Sequence, residues 1–285
     1  MTSELKRKQH LLPESYLNRW VDPATTVTNK TPIVWVFSKD GQRREHRSPG
    51  QSKFWRDYFY DLFSITGEQN QSIENALGKI EGWTAQITNQ KLDQRIPLGR
   101  DETEAIDLFI ACMFARTEKF KRSIKNGAEA MARSESERAA AYGLPKPSNA
   151  TLVQNAHPFS IFTSIEVVSA EIATWTHEMF IVPSGQEFVT SDSPCVWEAM
   201  IGLPGLANKS LEISLPLSPR HLLLVSRQPR PSAYQEIPED LVDYLNWRTI
   251  CHCDEYFISS GQQTKPIWFE DESFWLKESL KFLTV

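Results

Sequence analysis

Cysteine is scarce in this chain: four residues of 285, Cys112, Cys195, Cys251 and Cys253. That is too few for a disulfide scaffold at this length, and the expectation is free thiols in a reducing compartment. Long apolar runs are absent too. Mean hydropathy is −0.40, and no stretch approaches the roughly 18 apolar residues of a membrane span. The first residues are charged and show no apolar leader core, so the expectation is a cytoplasmic protein without a membrane partner. HExxH, an EF-hand loop, a Walker A loop, GxGxxG and a GxSxG elbow are all missing, which removes the usual signatures of zinc, calcium, nucleotide and serine-hydrolase chemistry. There is no internal repeat and no long low-complexity segment.

What is present is ordinary globular material. The chain is 40% hydrophobic and 24% charged, which suits one large domain or two small ones. The net charge of −5 is unevenly spread. Residues 1–60 carry 11 Lys and Arg against 6 Asp and Glu, and residues 234–285 carry 4 against 10. The two ends can pair within one fold. The alternative is a basic face for an anionic ligand such as a nucleotide or nucleic acid. Overall acidity argues against general, non-specific nucleic-acid binding.

The apolar pattern places the elements. Pro13 opens a short helix carrying Tyr16, Leu17 and Trp20, stopped at Asp22-Pro23. "PIVWVFS" followed by Lys39-Asp40-Gly41-Gln42 reads as a strand and the start of a hairpin, and "YFYDL" as a second strand. From about 68 to 91, Ile73, Leu77, Ile80, Thr84 and Ile87 repeat at helical spacing. A second helix, capped by Asp101 or Thr103, is predicted to run to about 126 with a stripe from Ile106 to Phe120. Residues 128–142 read as a weakly buried helix and "GLPKPSNAT" as a loop. A third strong helix is predicted over about 159–179. "EFVTSDSP", "LEISLPLSP" and "HLLLVS" read as strands, Pro238 to about Arg248 as a helix, and "TICHCDEYFISS" as a strand. The order predicts an α+β single domain with a helical middle and short, mainly antiparallel strands at both ends; a subdivision is placed near 145–150.

Four features suggest a polar site. Arg116 lies seven residues after Phe109 and three after Met113, on the apolar side of its helix, where it must snorkel or find a carboxylate. Glu81 stands seven residues after Glu74 on one side of the first long helix, so the two are about 10 Å apart along the axis. Asp192 sits at a strand end in Ser191-Asp192-Ser193-Pro194, good turn chemistry and equally a place for function. His10, just before the helix at Pro13, can change charge near neutrality, and a nearby helix start favours its neutral form. Cys251-His252-Cys253 is a poor zinc site: in a strand the two thiols face one side and the imidazole the other.

These parts follow one another as in a known family. "KQHLLPESYLNRW" resembles the opening signature of the DUF4238 family of uncharacterised, mostly bacterial proteins. "SIENALGKIEGWTAQI" is similar to its helix with two glutamates seven apart, and "DLFIACMFARTEKFK" to its helix ending in Arg-Thr. "FVTSDSPCVW", "ISLPLSPRHLLLVS" and "LNWRTICHCDEYFISS" resemble its later segments in order, so the likeness spans residue 8 to about 260. The resemblance implies a shared polar set of Gln9, His10, Glu81, Arg116, Asp192 and Asn246. It implies no activity.

Two functions fit that set. In the first the protein is a phosphodiester- or nucleotide-acting hydrolase, a nuclease-like effector of bacterial defence. His10 is its acid or base, oriented by Gln9 or Asp192; Arg116 grips the anion; Glu81 orients Arg116 or acts as a second acid or base. No cofactor is expected, although a divalent metal held by Glu81, Asp192 and His10 would be compatible. Asn246 would join Gln9 and Arg116 in substrate binding. In the second the same residues form a buried network in a binding or interaction protein that catalyses nothing.

Overall fold

The computed structural model describes residues 5–26, 31–145, 149–199, 201–229 and 233–276. The chain begins with strand β1 (Lys8–His10). The one-turn helix α1 (Glu14–Leu17) follows Pro13, whose φ of −56° suits a helix entrance, and a 3-10 turn continues it through Trp20. The first helix ends at Trp20, just before Asp22-Pro23 as expected, and Pro23 opens a new turn, α2 (Pro23–Thr26), as proline does at a first helical position. The expected hairpin is β2 (Val34–Ser38) and β3 (Arg44–Arg47). Beyond it, Tyr58 to Tyr60 of "YFYDL" form a tight turn rather than a strand, between β4 (Trp55–Asp57) and the short pair β5 (Leu62–Phe63) and β6 (Gln69–Asn70), with Leu62 already in β5.

Four long helices form the middle: α3 (Ser72–Lys91), α4 (Arg100–Ala115), α5 (Glu118–Ala141) and α6 (Ala150–Ile172). The second helix is therefore shorter than its apolar stripe. It ends at Arg116, and Thr117 caps a new helix by accepting from Phe120 N at 3.1 Å. Its own start is capped by Gly99, whose N–H donates to Glu102 at 2.6 Å, not by Asp101 or Thr103. α6 begins nine residues earlier than the stripe suggested, because Pro158 is carried inside the helix. It also ends earlier: Trp175 lies in a turn, and Met179 belongs to strand β7 (Thr176–Ile181). Of the loop at 143–151, residues 146–148 lie outside the described residues.

The rest is mostly β. β8 (Thr190–Ser191), β9 (Val196–Ala199), β10 (Leu211–Ser218), β11 (His221–Ser226) and β12 (Tyr234–Glu236) lead into helix α7 (Glu239–His252) and strand β13 (Tyr256–Ser259). Thr249 to His252 complete α7 instead of starting the strand, so the alternation argument against zinc does not apply to Cys251 and His252. The helix places them differently: Cys251 is exposed, Cys253 buried, and His252 Nδ1 lies 3.0 Å from Arg248 O.

Two sheets result, of order β12-β7-β11-β10-β9 and β3-β2-β13-β8, with all pairings antiparallel except β12 with β7. β10 and β11 are buried nearly throughout because both faces are covered, and they read as continuous apolar runs. β1 and β4 form a separate antiparallel ribbon in which Gln9 faces Arg56 and His10 faces Trp55. One core cluster takes in residues from Leu11 to Ile258 and joins the α4–α6 helices to the larger sheet. Tyr16 ties the first helix to both sheets: its hydroxyl lies 2.6 Å from Pro216 O and 2.5 Å from Thr190 Oγ1. The architecture is an α+β fold with a helical middle and β structure before and after it.

Candidate functional site

The period-two geometry of β1 decides the first polar pair. Lys8 and His10 point to one side of the ribbon and Gln9 to the other, into the protein, where it is fully buried. A buried amide must satisfy both its ends. Gln9 Oε1 accepts from Tyr60 N at 2.5 Å, and Nε2 donates to Asp61 Oδ1. Gln71 supports the same carboxylate, with Nε2 3.2 Å from both oxygens, and clasps Lys6 through N→Oε1 (2.7 Å) and Nε2→O (2.8 Å).

Arg116 meets this assembly from the end of α4. It is 1% exposed. Nη1 donates to Glu81 Oε1 at 2.7 Å, Nη2 donates to the carbonyl of His10, and Nε lies 3.4 Å from the Tyr60 hydroxyl. The Tyr60 hydroxyl lies 2.8 Å from His10 O and 3.2 Å from Arg116 O, and the guanidinium stands 5.8 Å from the Tyr60 ring centre. Burial works against the cation, but Tyr60 and Glu81 outweigh it and hold its pKa above the ordinary value. Arg116 therefore does not snorkel; it is a buried ion locked between a carboxylate and backbone. Glu74, the other glutamate of the pair, is buried beside Lys6 (3.7 Å), and burial raises its pKa.

His10 contributes to this network through its backbone. Its imidazole is half-buried and makes no hydrogen bond among the described residues. Burial first, then the Arg116 cation, lowers its pKa, against the pull of Glu81 and Glu14. A lowered pKa favours the neutral ring.

Asp192 and Asn246 do other work. The Asp192 carboxylate does not cap its own turn; Ser191 Oγ takes that role by accepting from Ser193 N at 3.1 Å. Asp192 instead accepts from the N–H groups of Asp254 (2.8 Å), Glu255 (2.7 Å) and Tyr256 (3.2 Å), fastening the entry to β13. Burial pushes its pKa up to about 6, against those three donors. Asn246, fully buried on α7, accepts from Val189 N and donates to Glu187 O, both at 2.8 Å. The structure thus brings Gln9, Glu81, Arg116 and the His10 backbone into one network, and gives Asp192 and Asn246 separate backbone clamps. Among the described residues no group of three or more His, Cys, Asp or Glu side chains is placed to hold a metal ion.

Sequence reasoning passed over Tyr60, Asp61 and Gln71, the residues that complete the network. It also passed over Arg248, buried on α7 between Glu198 and Glu212, which face each other across β9 and β10. A cation among Leu245, Trp247 and Ile250 is a legible signal for Arg248. For Asp61 the signal was weak, since "YFYDL" is also a plausible strand.

The chain belongs to the DUF4238 family, described as proteins of unknown function, whose model matches residues 8–263. No curated protein and no solved structure matches it.

Proposed function

We propose that this protein acts by binding rather than by catalysis, and that the polar set around Gln9 and Arg116 is a clasp that holds the N-terminal ribbon to the helical middle. The observation that carries this reading is the burial of Arg116, 1% exposed, with Glu81, His10 O and Tyr60 as its partners. A guanidinium that grips a substrate phosphate needs free donors facing a cleft. This one faces its own backbone.

One observation favours the hydrolase reading. The His10 imidazole is partly exposed and makes no hydrogen bond among the described residues, and burial lowers its pKa, which favours the unprotonated form a general base requires. Its proposed partners are engaged elsewhere, Gln9 with Tyr60 and Asp61 and Asp192 with residues 254–256. Glu81 is committed to Arg116 in the same way, so a hydrolase acting on a phosphodiester or nucleotide would rest on His10.

The test pairs turnover with melting. Wild type, His10→Ala and Gln9→Ala are incubated with RNA, single- and double-stranded DNA and nucleoside triphosphates, with and without Mg²⁺ or Mn²⁺. The expected result is no turnover by any of them. His10→Ala should melt like wild type, because the clasp uses the carbonyl and not the ring. Gln9→Ala should melt roughly 3–6 °C lower, since it strands the buried Tyr60 N–H while Asp61 keeps Gln71. Turnover by wild type that vanishes in His10→Ala at equal melting temperature would overturn the proposal.

A further inference from the structure

The segment from Trp55 to Phe59 carries three aromatic residues, and two of them have a cation over the ring. Lys8 Nζ lies 5.0 Å from the Trp55 ring centre, and Lys121 Nζ lies 3.8 Å from that of Phe59. The Arg7 guanidinium sits against Asp57 at 2.8 Å, one residue before Tyr58. Lys8 and Lys121 form no ion pair among the described residues. Arg7 and Arg56 are paired only to partly exposed carboxylates, Asp57 and Glu118. Such exposed pairs are worth little and exchange readily for another anion.

Tyr58 is the unusual member. It is 37% exposed and has a φ of +50°, while its N–H donates to Arg7 O at 2.9 Å. A bulky residue in the left-handed region is strained, and such strain persists where the surroundings enforce it, often at a ligand site. The clasp supplies that enforcement here, since Gln9 holds the neighbouring Tyr60 N–H. On the outer face of the ribbon, Lys8 and His10 stand opposite Asp57 and Trp55.

We infer that the β1–β4 ribbon is a binding platform for single-stranded nucleic acid, a proposal that rests on the non-catalytic reading above. The cations track the phosphate backbone, and Tyr58 offers a ring on which a base stacks. Alternation of rings and cations suits a strand whose bases are free to turn outward; a duplex keeps its base faces covered. An acidic peptide would use the cations but leave the strained tyrosine without a role.

The experiment titrates the full chain into a fluorescein-labelled oligothymidylate, followed by anisotropy at several salt concentrations. Binding should weaken with salt, and Lys8→Gln and Lys121→Gln should each lower the log–log slope by about 0.7, the value for one phosphate contact on a single strand. Tyr58→Asn removes the ring but keeps a residue that tolerates the left-handed backbone. It should weaken binding roughly tenfold, the loss of one stacked base, without changing the slope. Equal binding by Tyr58→Asn, with polyglutamate competing as well as the strand, would mean an acidic-protein surface and overturn the platform. Stronger binding of the duplex form would overturn it as well. The strand is run on a gel afterwards. A shortened strand sinks the non-catalytic reading, while an intact, unbound strand sinks the platform and leaves that reading standing.

Discussion

Removing Glu81 should harm this protein more than removing the arginine it neutralises. Arg116 is the buried member of the pair at 1% exposure, whereas the Glu81 side chain is 22% exposed. Glu81→Leu leaves a cation in the interior with a carbonyl and a hydroxyl but no counter-charge. Breaking a buried pair in this way costs about 3–5 kcal/mol. Coulomb attraction gives a similar figure, about 4 kcal/mol for charge centres about 4 Å apart at an effective dielectric of about 20. The partial exposure of Glu81 sets the expectation near the lower end, about 3 kcal/mol. Arg116→Met removes the ion itself. Glu81 can then turn to water, and His10 O keeps the Tyr60 hydroxyl at 2.8 Å, so the expected cost is about 1–2 kcal/mol. The double variant should be no less stable than Arg116→Met alone, a coupling of about 3 kcal/mol. Urea unfolding followed by tryptophan fluorescence measures all four proteins. A Glu81→Leu cost below about 1 kcal/mol, additive with that of Arg116→Met, would refute the view of Arg116 as a buried ion that depends on Glu81.

Other expectations follow from neighbouring parts of the structure. Asn246→Ala strands Val189 N and Glu187 O and should destabilise by about 2–4 kcal/mol in the same urea assay. Thr117→Ala removes the cap that starts α5 and should cost about 1 kcal/mol, seen as lost helical signal in circular dichroism before global unfolding. Two groups give pH dependences of opposite sign. Burial, with Lys121 adding to it, pushes His157 down to about 3, so its stabilising contribution is full above the unfolded value near 6.5 and is lost as pH falls from there toward 3. Asp192 is pushed up to about 6; the folded state takes up its proton before the unfolded state does, so stability is gained as pH falls from about 6 toward 4. His157→Phe should therefore flatten the acid side of a stability–pH curve and Asp192→Asn should steepen it. Unchanged slopes in both variants would refute the assignment.

The sequence showed residue types at the clasp more clearly than their partners. The apolar neighbours of Arg116 left it to snorkel or to find a carboxylate, and Glu81 was one of the carboxylates the sequence offered. The break between α4 and α5 was harder, because the apolar stripe runs on through Phe120 while Thr117 stops one helix and caps the next. A period detects a face but not an interruption that preserves the face. The helix predicted from about 159 missed its first nine residues, and α6 carries Pro158 inside it. The assignment of "TICHCDEYFISS" failed because β-branched and aromatic residues crowd both the last turn of α7 and β13, and only the backbone bonds from Asp192 mark where one gives way to the other.

The same bonds explain why the polar set was legible as a set and illegible as a site. Gln9 holds Tyr60 N, Arg116 holds His10 O, Asp192 holds three N–H groups from 254 to 256, and Asn246 holds Val189 N and Glu187 O. Each side chain reaches backbone 51 to 106 residues away in the chain. A backbone group has no side-chain identity, so no complementary residue stands in the sequence to show where the bond goes. Side chains that fasten distant backbone fix how segments close on one another, and that closure belongs to the fold, whatever ligand the surface takes. Family membership from residue 8 to 263 therefore carries architecture without carrying an activity. Function has to be sought on the faces the clamps leave exposed: the outer side of the β1–β4 ribbon, where His10 turns its ring away from the network that its own carbonyl completes.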